Sequence, residues 1–145
     1  MASAERNPIW FGVNIDPAVG GVPLAVELAH YADAQGIELI GIQDHPYNPA
    51  HLETWTLLAF LGARTERVRL LPNVLDLPLR PAPMLAKAAA TLDVLTGGRV
   101  ELGLGAGALW DGVASYGGPR RTPGAAVDAL EEAITVIRAL WGGEG

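Results

Sequence analysis

Apolar residues in this chain fall into two alternating patterns. Ile9–Ile15, Ile37–Gln43, Val68–Val74 and Arg99–Gly105 are compact, mostly apolar runs, and each predicts a short buried strand. Between them the apolar positions recur at helical spacing. Leu24, Leu28, Tyr31 and Ala32 mark a first helix that stops at Gly36, and Trp55, Leu58 and Leu61 mark a second, ending near Arg64. Leu85, Ala88, Leu92 and Leu95 give a third, closed by Gly97-Gly98. Val127, Leu130, Ile134, Ile137 and Trp141 line a last helix, for which Thr122-Pro123 reads as N-cap and first residue and Gly142-Gly143 as the stop.

The punctuation between these elements is informative. Pro72 inside the third run cannot donate to a ladder, so that strand should end in a bulge or an irregular stretch. Leu77–Pro83 holds three prolines and reads as a stiff loop, and the segment from the fourth strand to Pro119 reads as irregular. The strands begin near residues 9, 37, 68 and 99. Strands and helices alternating at this period imply parallel βα units. A (β/α)₈ barrel uses about 31 residues per unit. The expected fold is therefore α/β, the first four units of a TIM-type barrel, with residues 1–145 forming one half-barrel domain. Half a barrel leaves edge strands and apolar surface uncovered, so self-association or a second half-barrel chain is the expected partner.

Composition narrows the function. Half of the residues are hydrophobic and 18% are charged, which suits a globular domain. A net charge of -6 without a basic stripe argues against nucleic acid. Without cysteine there is no disulfide, thiolate metal site or cysteine nucleophile. Met1–Pro8 is polar and lacks the apolar core of a signal peptide, and no apolar run approaches the roughly 20 residues that span a bilayer. The expectation is a cytoplasmic protein acting on a small molecule.

In parallel βα folds the reactive end lies where the strands finish. The first strand delivers Asn14 and Asp16 there, the second Asp44 and His45, and the third Asn73 and Asp76. The fourth delivers the glycine run Gly103–Gly107, followed by Trp110 and Asp111. His45 is the leading catalytic candidate, since imidazole serves as acid, base or donor near neutral pH, and Asp44 is its expected orienter. Three histidines without ligand-like pairing predict no metal site. Arg120-Arg121 reads either as a phosphate contact or as a solvated pair. Gly103, Gly105 and Ala108 match a dinucleotide fingerprint, with Asp128 beyond. A nicotinamide-binding Rossmann dehydrogenase would need a helix opening directly at Gly105, which the glycines and Pro119 that follow disfavour.

The run Leu85–Gly107, the Asp44-His45 strand end and the helix from Thr122-Pro123 to Trp141 together resemble the bacterial luciferase-like flavin and deazaflavin oxidoreductases. The resemblance covers essentially the whole chain. It implies a (β/α)₈ barrel carrying FMN or coenzyme F420 at the C-terminal face of its strands, with hydride transfer or oxygen activation on a small organic substrate. It also implies a cis peptide at Asn73-Val74 supporting the ring, His45 beside the ring with Asp44 near it, and Gly105, Ala106 and Gly107 as the wall alongside. The glutamate that sugar-phosphate dehydrogenases of the family carry after these glycines is replaced by Ala108-Leu109. A non-catalytic half-barrel that merely self-associates is the alternative outside enzymology.

Overall fold

The computed structural model describes residues 9–142. The polar stretch Met1–Pro8 and the closing Gly143 and Gly145, on which two of the readings above fall, lie outside the described residues. Strands β1 (Gly12–Ile15), β2 (Leu39–Ile42) and β3 (Arg69–Pro72) form one parallel sheet in the order β1-β2-β3. Strands β4 (Leu75–Asp76) and β5 (Leu104–Gly105) form a second parallel pair. A bridge between Leu70 and Val100 ties the two sheets. Leu70 donates to the Arg99 carbonyl at 2.8 Å, and Glu101 donates to the Leu70 carbonyl at 2.9 Å. The parallel α/β organisation is as the alternating pattern predicts.

The third and fourth strands are more broken than the sequence suggests. Pro72 closes β3 because it brings no N–H to the ladder. The Asn73-Val74 peptide bond is cis, and pairing resumes at Leu75, which donates to the Gly103 carbonyl at 2.9 Å. The expected strand Arg99–Gly105 is correspondingly reduced to the Val100 bridge and the short β5, because its neighbour is interrupted opposite it.

Helices α1 (Val22–Gln35), α2 (Thr54–Gly62), α3 (Ala82–Thr96), α4 (Trp110–Ser115) and α5 (Pro123–Gly142) connect and cover the strands. Gly36 and Gly97 cap α1 and α3 in the left-handed conformation, where the sequence places the stops. Thr122 Oγ1 accepts from the Ala125 N–H at 3.3 Å, so the expected N-cap of α5 is present. The short α4 corrects the expectation of irregular chain through Pro119. Leu77–Leu79, within the proline-rich loop, forms a single 3₁₀ turn.

Two helix faces also need correction. On α1 the buried stripe is Ala25, Ala29 and Ala32, while Leu24 and Tyr31 are 58% and 61% exposed. Alanines at i, i+4 and i+7 satisfy helical spacing as well as leucines do, and their small size lets the helix lie close on the sheet. On α3 the buried residues are Leu85, Ala86, Ala89 and Leu92, and Leu95 faces outward. One core forms around Ile15, Ile40, Ile42, Leu58, Leu61 and Leu70, and a second around Leu75, Leu85, Ala133 and Ile137. Burying each such aliphatic side chain is worth about 1.5–3 kcal/mol, so these clusters fix where the strand ends point. Among the described residues no helix is long and apolar enough to cross a membrane.

Candidate functional site

Parallel register brings the C-terminal ends of the strands to one side. The Asn73 N–H donates to the Ile42 carbonyl at 2.7 Å, and its side-chain amide donates to Asn14 Oδ1 at 3.4 Å. Gly41 lies between these two asparagines, and a Cβ there would run into the Asn14 amide. The Asn14–Asn73 contact therefore depends on a glycine in the middle of β2.

Val74 follows and is 43% exposed, although it is a branched apolar residue in the interior of the chain. Its side chain packs against glycine backbone. A Cβ on Gly105 would stand 2.7 Å from Val74 Cγ2, and one on Gly103 would collide with the Pro72 carbonyl. Gly107 takes a φ of 106°, a conformation L side chains rarely adopt, with Pro78 and Trp110 packed against it. Val74 packs directly on the Gly105 backbone, and Pro78 and Trp110 pack on that of Gly107, so Val74 and the segment Gly105, Ala106 and Gly107 belong to one close-packed apolar surface.

His45 leaves β2 half-buried. Its Nδ1 is hydrogen-bonded to the Tyr47 hydroxyl at 3.1 Å, which fixes the ring and leaves Nε2 for other work. Desolvation, then the Asp76 and Asp44 charges, push the Tyr47 phenol above its usual range, so this hydroxyl stays neutral. His51 stands near, its ring centroid 6.1 Å from that of His45.

Asp44 does not orient His45. Its buried carboxylate accepts from Arg80 Nε at 3.1 Å and Nη2 at 2.9 Å, and from the Asp76 N–H at 2.9 Å. Arg80 Nη2 also donates to Glu53 Oε1 at 2.6 Å. Burial alone would push the Arg80 guanidinium down, yet Asp44 and Glu53 outweigh that and hold its proton more firmly than usual. Burial likewise raises Glu53, but hydrogen bonds from Thr56 and Arg80 prevail and keep its carboxyl below the usual range. This bidentate pair locks the end of β2 to β4 and to the 3₁₀ turn. The side chain hydrogen-bonded to His45 is Tyr47, two residues on, rather than Asp44.

Arg80 escaped the sequence reading, although it is the one charged residue in the proline-rich loop Leu77–Pro83. Of the other candidates, Arg120 forms a surface ion pair with Asp111, Trp110 packs against Gly107, and His30 is exposed. Among the described residues no three His, Cys, Asp or Glu side chains converge in the way a metal requires.

A family model for luciferase-like monooxygenases matches residues 11–145. The chain belongs to that family. It is 41% identical over 137 residues to a phthiodiolone/phenolphthiodiolone dimycocerosates ketoreductase of Mycobacterium kansasii, covering 94% of this chain and 34% of that protein. The corresponding ketoreductase of Mycobacterium sp. (strain JLS) is 43% identical over 103 residues, which are 68% of this chain and 26% of that one. Among solved structures, the monooxygenase RslO1 from Streptomyces bottropensis superposes with a TM-score of 0.76 and 26% identity, over 92% of this chain and 43% of that one. An F420-dependent secondary alcohol dehydrogenase in complex with an F420-acetone adduct shares the fold, with a TM-score of 0.79 and 23% identity over 91% and 42%. So does the FMN-bound oxygenating constituent of 3,6-diketocamphane monooxygenase from Pseudomonas putida, with a TM-score of 0.78 and 22% identity over 92% and 39%. The luciferase-like chain described here spans less than half the length of each.

Proposed function

We propose that the chain builds the ring-binding part of a flavin- or deazaflavin-dependent oxidoreductase, using FMN or coenzyme F420 on a small organic substrate. The observation that carries this reading is the exposed Val74 side chain, packed on the Gly105 backbone at the strand ends that also carry His45. A flat ring needs an apolar surface to lie on, and the half-exposed Val74 side chain, seated on the glycine backbone, offers one. The asparagine pair Asn14–Asn73 adds amide groups at the margin, suited to ring edges that donate and accept. When bound, such a cofactor supplies hydride transfer or oxygen activation. The ketoreductase names of the relatives favour hydride transfer at a carbonyl group.

The chain's own residues then have distinct tasks. Val74 supports the ring face, and Gly105, Ala106 and Gly107 form the wall alongside it. His45 offers Nε2 to the substrate oxygen, giving or taking a proton there, while Tyr47 holds Nδ1. Asp44, through Arg80 and the Asp76 N–H, keeps the strand ends that carry these groups in register.

We further infer that the chain supplies the first four βα units of a (β/α)₈ barrel, the rest of which comes from further sequence of the same protein, a second half-barrel chain or a second copy. Its coverage of the longer relatives and the strong exposure of Ile9 and Phe11 on the first strand's flank support this. A Rossmann reading loses its footing, because the helix after the glycines opens at Trp110 rather than at Gly105. In the cofactor-loaded protein, His45→Ala should lower turnover about 10²- to 10⁴-fold, the range of a lost acid–base group. Unchanged turnover would remove His45 from its role. Failure of the completed protein to bind either FMN or F420 would leave the non-catalytic half-barrel as the reading.

A further inference from the structure

Helix α4 is only six residues long, yet two of them reach two different parts of the site. Trp110 packs on the Gly107 backbone, where an added Cβ would stand 2.9 Å from Trp110 Cη2. Gly112 lies against Tyr47 in the same way. A Cβ added to Gly112 would stand 2.7 Å from both Cγ and Cδ2 of Tyr47 and 3.1 Å from Cε2. The tyrosine ring therefore occupies the place of a side chain on α4, and the far end of that ring meets His45 Nδ1 at 3.1 Å.

The local backbone gives Gly112 no other reason to be glycine. It is not among the glycines with positive φ, so any residue could adopt its helical conformation, and alanine would favour the helix more. What excludes a larger residue is the root of the Tyr47 ring, which cannot step aside as the tip of a flexible side chain could. The helix is itself held firmly. Val113 is fully buried, the Leu109 carbonyl accepts from the Gly112 N–H at 2.8 Å, and the Gly118 N–H donates to the Val113 carbonyl at 3.0 Å.

We propose that Gly112 is a positioning residue, which seats the Tyr47 ring on α4 and so fixes the hydroxyl that holds His45 Nδ1. One short, anchored element then touches the Gly107 wall through Trp110 and the imidazole's partner through Gly112. It sets where His45 Nε2 points relative to the Val74 surface. A methyl group at Gly112 pushes the phenol ring off the helix and draws its hydroxyl away from Nδ1. The effect on turnover rests on the reading of His45 given above; the placement of the imidazole does not need a cofactor.

The test reads the ¹⁵N shifts of the two His45 ring nitrogens in the full chain without cofactor, with all variants at one pH. Tyr47→Phe removes the hydroxyl and should move the Nδ1 signal. Gly112→Ala removes no hydrogen-bonding group, yet should move that signal in the same direction. In the double variant the shift should equal that of Tyr47→Phe alone, because both changes break one contact. Gly124→Ala, a helical glycine with nothing within 4 Å of its added Cβ, should leave the signal in place. An Nδ1 signal indifferent to Gly112→Ala, or two shifts that simply add, overturns the proposal. Should Gly112→Ala fail to fold, the native chain decides: a nuclear Overhauser contact between the Tyr47 ring and the Gly112 α-protons is expected, and its absence overturns the seat. In the cofactor-loaded protein Gly112→Ala should lower kcat about tenfold or more. A moved Nδ1 signal together with full turnover in His45→Ala sinks the catalytic reading of His45 and leaves the seat standing. An unmoved signal in a protein whose turnover is lost in His45→Ala sinks the seat alone.

Discussion

Two buried charged residues at opposite ends of the strands are treated in opposite ways. Arg99, at the start of the fourth strand position, is 8% exposed and spends all its donors. Its Nε donates to the Thr96 carbonyl at 2.9 Å, and Nη1 donates to Thr65 Oγ1 at 2.9 Å and the Val68 carbonyl at 3.0 Å. Nη2 donates to the carbonyls of Gly62 at 2.7 Å and Thr65 at 2.9 Å. It stitches the ends of α2 and α3 to the start of β3, and every bond it makes is to the fold. Asp76, at the other end, is equally buried, and its side chain makes no hydrogen bond among the described residues. A satisfied buried charge marks where the structure is held. An unsatisfied one costs stability where it stands, and here it stands beside Asp44 at the strand ends.

The largest expected effect is at the satisfied end. Arg99→Ala strips the donors from several buried carbonyls at once, and each orphaned acceptor costs about 1–3 kcal/mol. Urea unfolding should show a loss of about 3 kcal/mol or more, and a loss below 1 kcal/mol would mean that water replaces the guanidinium freely. At the other end the sign reverses. A carboxyl whose folded pKa is raised, as burial and then the Asp44 charge raise that of Asp76, binds more protons folded than unfolded, so its stabilisation is present at low pH and fades as pH rises past the ordinary aspartate range through the raised value. Asp76→Asn should therefore equal or exceed the native chain in stability near neutral pH and lose that advantage in acid. If Asp76→Asn is instead destabilised near pH 7 by as much as Arg99→Ala, the two ends do not differ in the way described.

The two regions also differ in how far they can be read from sequence. The first two strand positions, the glycine stops at Gly36 and Gly97 and the Thr122-Pro123 start of α5 are local signals, and the structure places them as read. The buried face of α1 is not local, because leucines and alanines offer the same periodicity and only the closeness of the sheet selects Ala25, Ala29 and Ala32. The brief helix α4 carries too little periodicity to be seen, and Gly112 within it argues against a helix.

At the site, His45, Asn73 and the glycine run follow from knowing where parallel strands end, whereas Val74 and the wall role of Gly105–Gly107 come from the family resemblance. The partners of those residues do not. Arg80 reaches Asp44 across 36 positions of sequence, and nothing in the proline-rich loop announces that contact. The adjacency of Asp44 and His45 suggested a pair, yet the strand end sends the carboxylate to Arg80 and leaves the imidazole to Tyr47. Asp76 was visible as a strand-end acid, but its isolation from any donor emerges only after Arg80 is seen to be occupied.

The central claim is that the Val74–Gly105 wall beside His45 receives a flavin-type ring. Methyl and amide NMR during titration with FMN, and separately with F420, reads this directly. Binding of either should move the Val74 methyl and the Gly105 and Gly107 amide signals while leaving the Arg99 guanidinium unmoved. Gly105→Val, whose Cβ would stand 2.7 Å from Val74 Cγ2, should weaken that binding at least about tenfold, the equivalent of about 1.4 kcal/mol. Cofactor-induced shifts that bypass Val74 and Gly105, or binding indifferent to Gly105→Val, would contradict the account.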